Sequence, residues 1–320
     1  MQHLFKGYFM KRLVSMLFLS VFCLSLSLLT AAEGEKKIDG VLEHLNIVYK
    51  TVDGQDICLN LFCPTADGEQ VAPAPLLIDM ISGGWVSGAP ADGGFWRQTG
   101  ALDKGYAIAS VSHRSVTPEC VFPAQIEDVK AAVRFLRAHA DEYGLDPNRF
   151  AALGASSGGH MASMLGLSDE FREFDVGDNL DQSSQIQVVF DLCCTADMEF
   201  YLKRSPEQVP APVYHVLGTQ KRTDVPYDEQ AAPLLEKASK YSPITYVNAN
   251  YSPTLILQGA QDDAVLPSQS CLFYEALKKA GVRTELYIDN TKGHTAEFFT
   301  REEKAKLMYD FLQKNQCSPR

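Results

Sequence analysis

Gly154-Ala155-Ser156-Ser157-Gly158 separates an apolar run, Phe150-Ala151-Ala152-Leu153, from a segment of small and apolar residues between His160 and Leu167. The run before it reads as a buried strand and the segment after it as a helix, so the pentapeptide is a strand-to-helix turn. The pattern G-x-S-x-G at such a turn presents a serine on strained backbone with its neighbours stripped of bulk. It is the place in the chain for a nucleophilic serine. Read alone it is also compatible with a glycine-rich turn carrying incidental serines, so the rest of the sequence must supply partners.

From about Leu42 onward, strand-like and helix-like segments alternate, the pattern expected when helices cover both faces of a mostly parallel sheet. Eight strands are expected: Leu45–Tyr49, Ile57–Phe62, Pro75–Met80, Tyr106–Ser112, Phe150–Leu153, Ile186–Leu192, Thr254–Gln258 and Arg283–Ile288. The first two form a hairpin through Asp53-Gly54 at one sheet edge. Ile126, Val129, Val133, Leu136 and Ala140 recur at helical spacing, with Gly144 ending that helix. Gln269–Ala280 stops at Gly281, and the last helix starts from the capping box of Thr300 and Glu303. The stretch 197–250 exceeds a normal crossover and holds Phe200, Tyr201, Tyr214 and several prolines. It is expected to cap the carboxyl end of the sheet, where open α/β folds bind ligands.

A serine hydroxyl needs a histidine base, and the histidine needs an acid to fix its tautomer. For this kind of turn the chain order is serine, acid, histidine. The strand Thr254–Gln258 runs into Gly259-Ala260-Gln261-Asp262-Asp263, which places two carboxylates in a loop at its carboxyl end. The strand Arg283–Ile288 runs into a loop ending at Gly293-His294, which makes His294 the base. His44, His139 and His215 fit worse by position, and His160 lies on the helix behind the serine. The third requirement is a set of donors for an oxyanion. The strand Pro75–Met80 ends in Ile81-Ser82-Gly83-Gly84-Trp85, where the amides of Gly83 and Gly84 can join that of Ser157.

With 46% hydrophobic and 22% charged residues, the 320-residue chain is neither disordered nor a multi-span membrane protein. Lys11 and Arg12 precede an apolar run, Leu13 to Leu29, and the small residues Thr30-Ala31-Ala32. Residues 1–32 therefore read as an export signal cleaved after Ala32, leaving a domain over 33–320 that is secreted or periplasmic; an uncleaved anchor is the alternative. Phe22 before Cys23 is too bulky for a lipoprotein box. Cleavage removes Lys6, Lys11 and Arg12 and no acid, taking the net charge from −11 to −14. Such a surface repels nucleic acid and anionic membranes. Seven cysteines remain, an odd number, so disulfides do not build the scaffold, and no C-x-x-C pair points to zinc.

Together these residues resemble the α/β-hydrolase superfamily, specifically the esterase and lipase group related to hormone-sensitive lipase and the BD-FAE (feruloyl-esterase-like) domain. The resemblance is carried by the helix Phe122 to Arg137, by Asp146-Pro147-Asn148-Arg149 leading into the serine strand, by Ser242 to Val247, and by Tyr274 to Gly281. It places the family's catalytic acid at Asp262 rather than Asp263. It implies an α/β-hydrolase fold with a mostly parallel eight-stranded sheet, helices on both faces and a small cap. The chain departs from the family at Ile81 and Ser82, where relatives carry His-Gly before Gly-Gly-Trp, and at His113 before Arg114, where they carry tyrosine.

The expected activity is that of a serine carboxylic-ester hydrolase with Ser156, Asp262 and His294 as its triad. The substrate is a small-molecule or polysaccharide ester, with acetyl or feruloyl groups implied by the resemblance, and neither a metal nor an organic cofactor is required. Trp85, Phe95 and Trp96 are candidates to wall the substrate. A prolyl-oligopeptidase-type peptidase shares the triad order but carries a large propeller domain absent from this sequence. A silent binding module on a hydrolase fold differs in lacking triad residues, all three of which are present here.

Overall fold

Among the described residues, ten strands make one sheet in the order β1-β2-β3-β6-β5-β7-β8-β9-β10, with β4 paired to β3 alone. They are β1 (Gly34–Ile38), β2 (Val41–Val52), β3 (Gln55–Ala66), β4 (Glu69–Gln70), β5 (Ala74–Met80), β6 (Ala107–Val111), β7 (Leu145–Ala155), β8 (Val188–Leu192), β9 (Thr254–Gly259) and β10 (Thr284–Asp289). This is a computed structural model, and it describes residues 34–38, 40–86, 88–204, 209–298 and 300–319. The export signal expected over residues 1–32 lies outside the described residues. No helix of the described residues is long and apolar enough to cross a membrane.

From β6 to β10 the sheet neighbours are all parallel, whereas β1, β2 and β3 pair antiparallel and β3 meets β6 antiparallel. The sheet thus has two strands more than the eight expected. One extra strand, β4, is only two residues long, and β1 reads Gly-Glu-Lys-Lys-Ile, with no apolar alternation to announce it. Backbone pairing creates both strands. The Asp53-Gly54 turn joins β2 to β3 with φ of 51° and 77°, the left-handed pair a tight hairpin demands, but β1 displaces that hairpin from the edge.

Central strands β5, β6, β8 and β9 are buried almost throughout, as parallel strands covered on both faces must be. Two apolar layers flank them. Helix α1 (Gly94–Gln98) and helix α9 (Arg301–Lys314) lie with the layer containing Phe190, Phe311 and Trp96. Helix α2 (Ala124–Ala138), helix α3 (Ser157–Leu165) and helix α8 (Pro267–Lys279) cover the other. The capping box of Thr300 and Glu303 is formed, and Met308, Phe311 and Leu312 are fully buried beneath it.

Helix α2 departs from the simple stripe. Its apolar residues are buried, but so are Asp128, Lys130 and Arg134. Each finds a counter-charge: Lys130 and Arg134 meet Asp175 at 3.1 and 3.0 Å, and Asp128 receives Lys50 at 2.7 Å. Asp128 also accepts from the backbone N–H of Arg114 at 2.9 Å and from its guanidinium Nε at 2.8 Å. The helix ends at Ala138, and a turn region separates it from Gly144.

The long excursion between β8 and β9 folds into short helices, among them α4 (Met198–Leu202), α5 (Ala211–Val216), α6 (Tyr227–Ala231) and α7 (Leu235–Lys240). Tyr201 and Tyr214 are fully buried in it. The Tyr201 hydroxyl accepts from the backbone N–H of Leu266 at 2.9 Å, tying the excursion to the loop that follows β9.

Asp128 has no exposed side-chain surface, and removing its charge takes the counter-ion at 2.7 Å from the largely buried Lys50 and leaves Arg114 with the Glu127 carboxylate at 3.6 Å. Asp128→Ala is expected to lower unfolding free energy by about 3 to 5 kcal/mol, read from urea denaturation midpoints at constant m-value.

Candidate active site

Ser156 stands between β7 and α3 at φ 55° and ψ −121°, a backbone conformation that residues other than glycine rarely adopt. Two hydrogen bonds hold it there: its N–H donates to Leu192 O at 2.8 Å, and its own carbonyl accepts from His160 N at 2.9 Å. The flanking glycines are needed for space. A Cβ on Gly154 would overlap the backbone of Gly158, and one on Gly158 would come within 2.7 Å of Met80 O.

His294 Nε2 lies 3.1 Å from Ser156 Oγ, and its Nδ1 lies 2.9 Å from Asp262 Oδ2. Protonation on Nδ1 lets the ring donate to the carboxylate while Nε2 accepts from the serine hydroxyl. The Asp262 side chain is wholly buried, and its oxygens are fully employed. Oδ1 accepts from the backbone N–H groups of Ala264 and Val265 at 3.0 and 2.8 Å, and Oδ2 also accepts from Gln258 Nε2 at 3.2 Å. Asp263 is exposed and turned away from this network. Three residues far apart in sequence therefore meet in one chain of hydrogen bonds.

Gly83, Gly84 and Trp85 have φ of 115°, 66° and 62°, an uncommon run of left-handed backbone beside Ser156. All three line the cavity over the serine, and Ser157 begins α3, where a helix leaves its first N–H groups without intrahelical acceptors. The altered residue Ser82 donates through Oγ to Ala155 O at 2.7 Å, pinning the loop to the end of β7.

His160 is fully buried. The Trp85 indole can only donate, and it does so to His160 Nδ1 at 3.2 Å; the ring proton is then on Nε2, which donates to Tyr241 O at 2.7 Å. Burial pushes this imidazole down to about 4, so it stays neutral at ordinary pH. Sequence placed His160 behind the serine without a task. Its clasp on Trp85 joins residues 75 apart, and no local pattern announces it.

Of the three aromatic candidates, only Trp85 lines the cavity at Ser156, a space of about 440 Å³. Trp96 is a correction: it is completely buried, packed edge-on against Phe190, because α1 turns the indole into the core. Phe95 borders a different cavity. Sequence reasoning missed Pro210, Pro212 and Val213 of the excursion, which wall the serine cavity together with Ala264 and Val265.

Cys193, Asp262 and His294 form a group whose donor atoms lie within 4.8 Å of one another. Burial pushes the Cys193 thiol up, keeping it protonated, and the other two are committed to each other, so the donor set does not fit a metal. Cys63, Cys120, Cys193, Cys194, Cys271 and Cys317 are free thiols.

Residues 59–277 match the family model BD-FAE, more than half the chain. The chain belongs to the BD-FAE family. Esterase LipQ of Mycobacterium tuberculosis is 28% identical over 70% of this chain and 50% of its own. The chain spans about half the length of the curated relatives it matches. Among solved structures, the propionate-bound thermophilic esterase Est2 of Thermogutta terrifontis is 26% identical, with a TM-score of 0.68 over 86% of this chain and 96% of that one. A truncated carbohydrate esterase from gut microbiota, 24% identical, shares the fold with a TM-score of 0.68 over 89% and 98% of the two chains. The architecture is thus the α/β-hydrolase fold, and relatives of this BD-FAE chain are esterases by name.

A histidine whose folded value lies below its unfolded one stabilises the fold above the unfolded value, and that contribution fades as pH falls. For His160 the window runs from 6.5 down to about 4. The destabilisation caused by His160→Gln is therefore expected to be larger at pH 7 than at pH 4.5, read from denaturant unfolding of both proteins at each pH.

Proposed function

We propose that this BD-FAE chain is an exported serine carboxylic-ester hydrolase that works through an acyl-enzyme. The observation that carries the reading is the continuous hydrogen-bonded path from Ser156 Oγ through His294 to the buried Asp262 carboxylate. Ser156 Oγ attacks the ester carbonyl as His294 Nε2 takes its proton. The tetrahedral oxyanion is held by the N–H groups of Gly83, Gly84 and Ser157. His294 then returns the proton to the departing alkoxide, the acyl group stays on Ser156, and a water activated by the same histidine releases it. Asp262 holds the ring in the tautomer this requires and offsets the charge of the imidazolium.

The acyl group is short on this reading. Pro210, Pro212 and Val213 close over the serine from the excursion, which serves as the cap, and the backbone of Gly84 is packed against Pro212. The propionate-bound state of Est2 supports a small acyl group. Of the acetyl and feruloyl esters implied by the resemblance, a short acyl group selects acetylated polysaccharides as the proposed natural substrates, supported by the BD-FAE family and by the export signal read over residues 1–32.

A fluorophosphonate is expected to label Ser156, and 4-nitrophenyl acetate to be hydrolysed by the parent protein but not by Ser156→Ala. Asp262→Asn should lower kcat by about 10³- to 10⁴-fold because the amide stabilises the wrong tautomer. Undiminished hydrolysis in Ser156→Ala, with no label on that residue, would overturn the mechanism.

A further inference from the structure

A second cavity of about 380 Å³ adjoins the catalytic one, and Ala296 lines both. Its walls carry Lys292, Arg301 and Lys304 against the single carboxylate of Glu297. A cationic hollow of this kind is unexpected on a chain of net charge −11.

Lys304 is the telling member. It is only 6% exposed, yet no carboxylate lies within ion-pairing distance of it, or of Lys292 and Arg301, among the described residues. Its ammonium donates to Ala296 O at 2.6 Å and sits 4.3 Å from the centre of the Phe95 ring. An ammonium has three donors, and among the described residues Ala296 O takes one of them. Desolvation pulls this amine down to about 8, the mark of a buried cation short of negative charge. Buried lysines are normally paired; this one faces an open hollow with two more cations around it.

The side of the site matters. His294 delivers its proton to the departing alkoxide, so the alcohol part of the ester lies against the histidine and its loop. Lys292 and Ala296 belong to that loop. We infer that the cavity of Lys292, Arg301 and Lys304 is a subsite for a carboxylate on the alcohol portion of the substrate, making an acylated uronic-acid sugar the preferred substrate class. The inference rests on the esterase reading above and adds to it the charge of the leaving group. Phe95, offered by sequence as a wall for substrate, forms the apolar side of this subsite beneath the ammonium.

The test compares two esters, a mono-O-acetylated methyl glucuronoside and the matching methyl glucoside, which differ only in carboxylate against hydroxymethyl. Through a lower KM, kcat/KM is expected to favour the acidic ester by about tenfold at low ionic strength, and the ratio should shrink at ~0.5 M salt. In Lys304→Met, which keeps the stem volume, the ratio should fall toward one; the exposed Arg301→Ala and the half-buried Lys292→Ala should lower it in part without threatening the fold. Binding of unacetylated methyl glucuronoside to Ser156→Ala, followed by NMR, reads the subsite independently of turnover and should weaken when Lys304→Met is added. Equal kcat/KM for the two sugars in a protein that still hydrolyses 4-nitrophenyl acetate overturns the subsite and leaves the esterase reading intact. A preference unchanged in all three variants overturns it as well, as does a failure of the glucuronoside to bind. Loss of aryl-ester hydrolysis and of Ser156 labelling, with glucuronoside binding retained, overturns the esterase reading instead.

Discussion

The reactive end of the sheet depends on one strained residue. Ser156 at φ 55° carries a backbone cost of roughly 1–3 kcal/mol, which persists only because the surroundings leave no alternative. Strand β7 arrives from one side and α3 leaves on the other, so close together that neither Gly154 nor Gly158 has room for a Cβ. The strain is offset by the bond from Ser156 N–H to Leu192 O and by the first turn of α3, which His160 N–H closes on Ser156 O. Because the main chain sets the position of Oγ, the hydroxyl needs little side-chain ordering to meet the histidine. That is pre-organisation in the sense that matters for reaction rate.

The proposed oxyanion loop rests on the same turn. Gly158 packs under the carbonyls of Met80 and Ile81, so the loop and the Ser156 turn share one contact surface. Where the family resemblance implies His-Gly at the start of the loop, this chain has Ile81 and Ser82, and the structure shows how the loop is held. Ser82 Oγ ties its start to Ala155 O, and Trp85 ties its end to His160 on α3. Both anchors sit on the elbow itself, one just before Ser156 and one four residues after it. The loop is thus fastened at both ends to the strand and helix that flank Ser156, the proposed nucleophile.

What sequence revealed follows the physics of each signal. Ser156 was legible because it follows β7, whose buried residues announce themselves as an apolar run, and His294 because it follows the half-buried edge strand β10. The choice of Asp262 over Asp263 needed the family resemblance, since adjacent carboxylates look alike until the loop is folded; the structure turns one inward and leaves the other in water. Edge strand β1 and the polar side of α2 were not legible. A strand held by backbone pairing needs no apolar pattern, and buried charges such as Asp128 and Arg134 read as solvated until their partners, distant in sequence, are known. Trp96 failed for a similar reason: an aromatic beside a glycine-rich loop is attractive as a substrate wall, but one helical turn decides whether it faces the cavity or the core.

The loops that carry Asp262 and His294 repeat the logic of the serine turn with different residues. A Cβ on Gly259 would overlap the carbonyls of Lys292 and Gly293, so the loop after β10 can lie directly on the end of β9. Gln261 N–H then donates to Lys292 O at 2.9 Å, and Ala260 N–H to Asp289 O at 2.9 Å, stitching the two loops together. With Asp262 Oδ1 taken up by its own loop's amides, only Oδ2 is left for the imidazole, and the ring has one orientation available. The same close approach fixes Lys292, two residues before His294, at the rim of the cationic hollow. One missing side chain at the end of β9 thereby sets the geometry of the base and, on the inference drawn above, the charge that greets the leaving alcohol.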